Sequence, residues 1–164
     1  MKTHFEEFAA YNAWANRRLY DAAAAVSDAD RRSDQGAFFG SLFNTLSHIL
    51  VADVLWMARF RQVAPPGWAL THTPHDSFED LRAAREAQDV DIIAYTSALT
   101  EAEIEADIHY TTVTGPKDVT QKRGPALAHF FNHQTHHRGQ CHMILTRLTG
   151  DAPPLDLLFY QRGA

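Results

Sequence analysis

The chain of 164 residues is 45% hydrophobic and 21% charged, with a formal net charge of −5. That is the balance of a globular protein long enough to bury a core, and it excludes the clustered Lys and Arg of a nucleic-acid surface. No apolar run reaches the roughly 18 residues of a membrane span, and the stretch from Met1 to Glu7 has no signal-peptide core. The single Cys141 leaves no internal disulfide, so a reducing cytoplasm is the expected compartment. One domain over 1–164 is the expected organisation.

Thr3 and Glu6 have the spacing of a capping box, and Phe5, Phe8, Ala15 and Leu19 recur at helical spacing to about Val26. A polar stretch, Ser27 to Gly36, closes this first helix. Gly40 or Ser41 opens a second, to about Phe60, that is apolar almost all round and therefore buried on most sides. His48 and Asp53 stand out in it as polar residues. Pro65-Pro66-Gly67 marks a loop to about Asp76 that carries Trp68, His72 and His75.

Ser77 begins a cap signature for a third helix to about Leu99, whose apolar residues are Leu81, Ala84, Val90, Ile92 and Ile93. Between 101 and 121 the sequence is compatible with two forms. Residues 107–114 are β-rich and Gly115-Pro116-Lys117-Asp118 is a turn, so either a short hairpin or an irregular loop precedes the last helix. Gly124-Pro125 opens that fourth helix, with Pro in the first turn where its missing amide costs nothing. It runs to about Leu148 and ends at Thr149-Gly150. The tail from Leu155 to Tyr160 is apolar enough to pack back on the body. No internal repeat or second domain is evident.

Half of the ten histidines fall between His129 and His142 in this last helix. Residues three and four apart share a helical face, and two imidazoles at that spacing are a recurrent way to hold a divalent transition metal. With Leu127 at zero and about 100° per residue, the apolar positions centre at about 310°. On that scale His137 falls at about 280° and His133 at about 240°. His129, at about 200°, and His136, at about 180°, lean to solvent or a partner. His142, at about 60°, is on the opposite margin. The inward pair is therefore His133 and His137. A hydrogen-bonded core role is the plainer alternative, but two buried imidazoles without partners would cost a few kcal/mol.

A metal needs at least a third ligand. His48 is a candidate; Cys141 could be a soft ligand, although a small buried thiol is its plainer role. His4, His72, His75 and His109 read as surface residues.

At these residues the sequence resembles the DinB family of DNA-damage-inducible, metal-dependent proteins. The resemblance is carried by Ser47-His48 followed by an apolar run to Trp56, and by His133-Gln-Thr-His-His137-Arg138-Gly139-Gln140 far downstream. Tyr11-Asn12-Ala13-Trp14 and the closing Gly150 to Asp156 contribute to it, so it spans nearly the whole chain. It implies an all-α four-helix bundle, up-down-down-up, with a metal held by His48, His133 and His137. It also implies a homodimer.

Three neutral imidazoles leave an ion its charge and an open position. Zinc and nickel head the expected ions, because imidazole suits several transition metals. Relatives of the fold include thiol-dependent transferases and isomerases, so activation of a low-molecular-weight thiol for transfer or addition is the leading expectation. A hydrolase using metal-bound hydroxide is the second; it would want a carboxylate base, and since Asp53, five residues from His48, points elsewhere on an ideal helix, Asp156 in the tail is the freer candidate, with a cap or salt bridge as its plainer role. A non-enzymatic metal-binding stress-response protein is the third. Arg138 is a candidate for binding a substrate carboxylate, with a surface or dimer-contact role as its alternative.

Overall fold

Four long helices carry the computed structural model, which describes residues 1–163: α1 (Lys2–Ala24), α3 (Leu42–Phe60), α4 (Phe78–Ala98) and α6 (Arg123–Thr149). Short helices α2 (Asp28–Arg32), α5 (Glu101–Glu105) and α7 (Leu157–Gln161) and a two-stranded hairpin, β1 (Asp107–Thr111) and β2 (Asp118–Lys122), fill the connections. None of the described helices is long and apolar enough to cross a membrane.

The directions follow from paired residues. Phe5 meets Phe131 and Asn12 meets Arg138, so α1 and α6 run parallel. His48 meets His137 and Trp56 meets His129, so α3 opposes α6. Tyr20 meets Phe78 and Asn16 meets Asp89, so α4 opposes α1. The bundle is thus up-down-down-up. Each of α1 and α3 packs against both α4 and α6.

Helix starts are set by side-chain oxygens that satisfy free amides. Ser41 accepts from the Asn44 amide and Ser77 from the Asp80 amide, as their sequence positions predict. The capping box expected at Thr3 and Glu6 does not form. α1 begins two residues earlier, with Met1 rather than Thr3 at its N-cap, and Glu101 Oε1 accepts from both the Met1 ammonium and the Lys2 amide at 2.9 Å each. A carboxylate from a distant segment thus does the work expected of a local hydroxyl. The capping box in this part of the molecule joins Thr100 and Glu103, at the start of α5.

Of the two forms open for residues 107–121, the hairpin is the one adopted, with Asp107 opposite Lys122 and Thr111 opposite Asp118. It is tied to α3 by Gln62, whose side chain accepts from the His109 amide and donates to the His109 carbonyl.

The core has two apolar ends. One gathers Leu19, Leu42, Leu46, Leu81, Cys141 and Ile144; the other gathers Phe5, Phe60, Ile92, Ile108, Leu127 and Phe130. Cys141 is fully buried, a core thiol, and burial pushes its pKa well up. Between the ends lies a polar level to which all four long helices contribute. Arg85 on α4 pairs with Asp53 on α3 and Asp89 on α4, and Asn16 on α1 donates to Asp89 at 2.9 Å.

This level explains one correction on α4. Val90 is 68% exposed and Ile93 36% exposed, although both are among the apolar residues of this helix. The inward stripe is Leu81, Arg85, Asp89, Ile92 and Thr96, so its middle is charged and a hydrophobic pattern cannot trace it. The tail packs back in part. Leu155 lies against the core and its carbonyl accepts from Tyr11 Oη at 2.7 Å, while Leu158 and Phe159 stay exposed.

Candidate metal centre

His48 stands on the second turn of α3, and His133 and His137 stand one turn apart on the facing side of α6. The antiparallel contact of these helices brings the three rings together. Their centroids are 4.4 Å apart for His133 and His137, 4.5 Å for His48 and His137, and 5.3 Å for His48 and His133. One ring nitrogen from each lies within 4.8 Å of the others.

The outward nitrogens fix how the rings are presented. His48 Nδ1 lies 2.8 Å from the Leu70 carbonyl, and His137 Nδ1 lies 2.8 Å from Gln140 Oε1. Both partners are acceptors, so each Nδ1 carries the proton and each Nε2 presents a lone pair inward. His137 Nε2 and His133 Nε2 are 3.1 Å apart. Two ligands on a tetrahedral zinc would stand about 3.3 Å apart, so the spacing of this pair fits such an ion. Second partners of this kind orient metal-binding histidines generally.

Burial holds the rings neutral. Desolvation lowers the His48 pKa to about 4, against the pull of the Leu70 carbonyl. It lowers His133 to about 3, with His137 and His48 adding to the effect, and lowers His137 as well. Neutral imidazole is the form that binds a metal. Phe39 closes one side, stacked on His48 at 3.9 Å and edge-on to His137 at 5.6 Å. On the other side a groove of about 310 Å³ opens from His48 and His133 past Trp56 and His129 to Arg59 and the hairpin tip at Thr112 to Thr114.

The DinB family model matches residues 1–164. The chain belongs to the DinB family. Among solved structures, YfiT from Bacillus subtilis superposes on this DinB chain with a TM-score of 0.71 at 13% identity, covering 93% of this chain and 91% of its own. That protein is described as "a probable metal-dependent hydrolase with an unusual four-helix bundle topology". At this identity the likeness shows the fold, a four-helix bundle. No curated protein matches the sequence.

The remaining sequence candidates of the DinB chain fall elsewhere. His136 and His129 are exposed, as their helical angles predict, but His129 packs on Trp56 at 5.2 Å and so edges the groove. Asp53 is buried on Arg85 and does not enter the groove. Asp156 sits at the start of α7, beside two other cavities.

Arg138 is neither at the surface nor beside the histidines. It is 2% exposed, donates to Asn12 Oδ1 and to Thr135 Oγ1, and lies over the Tyr11 ring. The cavity it lines, with Tyr11, His142 and Asp156, is separate from the histidine groove. The helical wheel that selects the histidines puts Arg138 at about 20°, between Leu127 and the edge of the buried face, so its burial could have been read there. Gln140 could likewise have been found as the residue three beyond His137. Phe39 and the Leu70 carbonyl come from loops and leave no spacing signal.

Proposed function

We propose that the protein is a metal-dependent enzyme that activates a low-molecular-weight thiol for transfer or addition to an electrophile. The observation that carries this reading is a groove lined by His48 and His133 of the histidine triad, with no acidic side chain among the described residues that line it. When bound, a zinc or nickel ion supplies a Lewis acid that favours the thiolate of a coordinated thiol near neutral pH. His48, His133 and His137 would hold that ion. Leu70 and Gln140 keep two of the rings aimed inward, and Phe39 shields the side away from the groove. Such chemistry does not require a carboxylate base, and Asp53, the acid nearest in sequence to His48, is committed to Arg85.

A hydrolase is the second reading. It is favoured by the description of YfiT and by His129, an imidazole at the groove's edge that could take the part of a base. A non-enzymatic metal-binding role is the third. The family resemblance further supports a homodimer, which sedimentation of the untagged protein would test.

The discriminating experiment is a screen of low-molecular-weight thiols against electrophilic acceptors, with zinc- and nickel-loaded protein. Thiol-dependent turnover that vanishes in His137→Ala is the expected result. Cleavage of esters or amides without any thiol-dependent turnover would transfer the assignment to hydrolysis. Anomalous scattering from crystals of untagged protein identifies the ion.

A further inference from the structure

Arg59 stands eleven residues beyond His48 on α3, within about 20° of it around the helix and about 16 Å along the axis. Ala52 and Leu55 lie between them on the same stripe and line the same groove. Helical side chains tilt toward the N-terminus, which inclines Arg59 back along the groove toward the histidines.

Its surroundings are aromatic on two sides. The guanidinium lies over the Trp56 ring at 4.5 Å and over the Tyr110 ring at 4.7 Å. Among the described residues no carboxylate pairs with it, a feature it shares with Arg18 and Arg138 but not with Arg31, Arg32, Arg61, Arg82 or Arg85. It is half-buried, and burial lowers its pKa, the mark of a cation drawn from water without a counter-ion. Two aromatic faces hold the guanidinium in place but supply no hydrogen-bond acceptor of their own for its N–H groups.

We propose that Arg59 determines substrate specificity by binding a carboxylate at the far end of an elongated substrate whose other end reaches His48, His133 and His137. This rests on reading the histidine cluster as an open metal site. A planar guanidinium matches a carboxylate with two parallel hydrogen bonds. The aromatic clamp fixes its plane in advance, so little side-chain freedom is lost on binding. The hairpin tip at Thr112 to Thr114 forms the outer wall and limits the length of what fits.

The test uses ligands whose metal-binding head does not depend on the reaction catalysed. Succinic, adipic and suberic monohydroxamates, and their methyl esters, are titrated by calorimetry into zinc-loaded protein. At the best chain length the free acid should bind about 10-fold or more tightly than its ester. That ratio should fall to about one in Arg59→Met and be intermediate in Arg59→Lys, with ester affinity unchanged. Because the ratio is taken within each protein, a variant that is partly unfolded still reports it. A ratio near one in the unaltered protein at every length, or one that survives in Arg59→Met, overturns the inference while leaving the open metal site standing. If neither acid nor ester binds, the open site itself is refuted, and this inference with it.

Discussion

Two polar clusters lie in the middle of the same bundle, and they meet the cost of burial in opposite ways. The cluster around Arg85 carries full charges and closes on itself: arginine on two aspartates, one of them held by asparagine amides from α1. The cluster around His48 carries no charge, and two of its rings are held from outside, by Leu70 and Gln140, while His133 and His137 face each other at 3.1 Å between their Nε2 atoms. The first reaches all four long helices, with Arg138 on α6 joining it through Asn12. The second joins α3 and α6 and presents three ring nitrogens that could hold an ion. Buried polarity in this fold therefore divides into a charged part that ties the helices together and a neutral part that could bind a metal.

The largest effect separating them is expected at Arg85. Replacing it by methionine leaves Asp53 and Asp89 buried without a cation, a loss of about 3–5 kcal/mol in denaturant unfolding. Metal stoichiometry per folded molecule should not change. A loss below about 1 kcal/mol would mean the charged cluster does not hold the bundle.

On the other side, His48→Ala, His133→Ala and His137→Ala should each weaken metal binding by more than about 100-fold, beyond the range of outer-sphere changes. His136→Ala should retain stoichiometric metal. Retention in His137→Ala, measured by elemental analysis of untagged protein, would sink the ligand assignment.

Gln140→Ala tests the outward bonds alone. It should reduce metal affinity by about 10- to 100-fold while the ligands stay in place. No change in affinity would show that His137 is oriented by packing instead.

The smallest effect concerns pH in the metal-free protein. In the unfolded chain His48 and His133 take up protons at about pH 6.5, but folded they resist to about 4 and about 3. The unfolded state thus binds more protons between these values, so their contribution to stability is present above about pH 6.5 and lost as pH falls toward about 4. The double variant His48→Ala/His133→Ala should show a flatter slope of denaturant midpoint across that interval. An equal slope would mean the two rings titrate normally in the fold.

The repetitive part of this molecule is legible in its sequence. Ser41 and Ser77 start helices where their hydroxyls can serve free amides, and the helical period places His133 and His137 inward with His136 out. What the sequence hides is long-range. Glu101 caps α1 from about a hundred residues away, and no local pattern reports that. Val90 and Ile93 are apolar yet face out, whereas α4 turns Arg85 and Asp89 inward. Arg138 reads as outward or substrate-binding on its charge, and its partner Asn12 lies at the other end of the chain. Arg59 leaves no sequence signal because its interest lies in lacking an acid, and only a structure shows a missing partner.

Segment 61–77 joins α3 to the parallel α4 and must return along the bundle. That return is about 28 Å, the length of α3 at about 1.5 Å per residue. The segment could span about 56 Å if extended. The surplus contour is what lets the chain detour to place the Leu70 carbonyl on His48. Shortening this segment residue by residue should therefore release His48 before it strains the bundle, so that the protein would lose its grip on metal while it still folds.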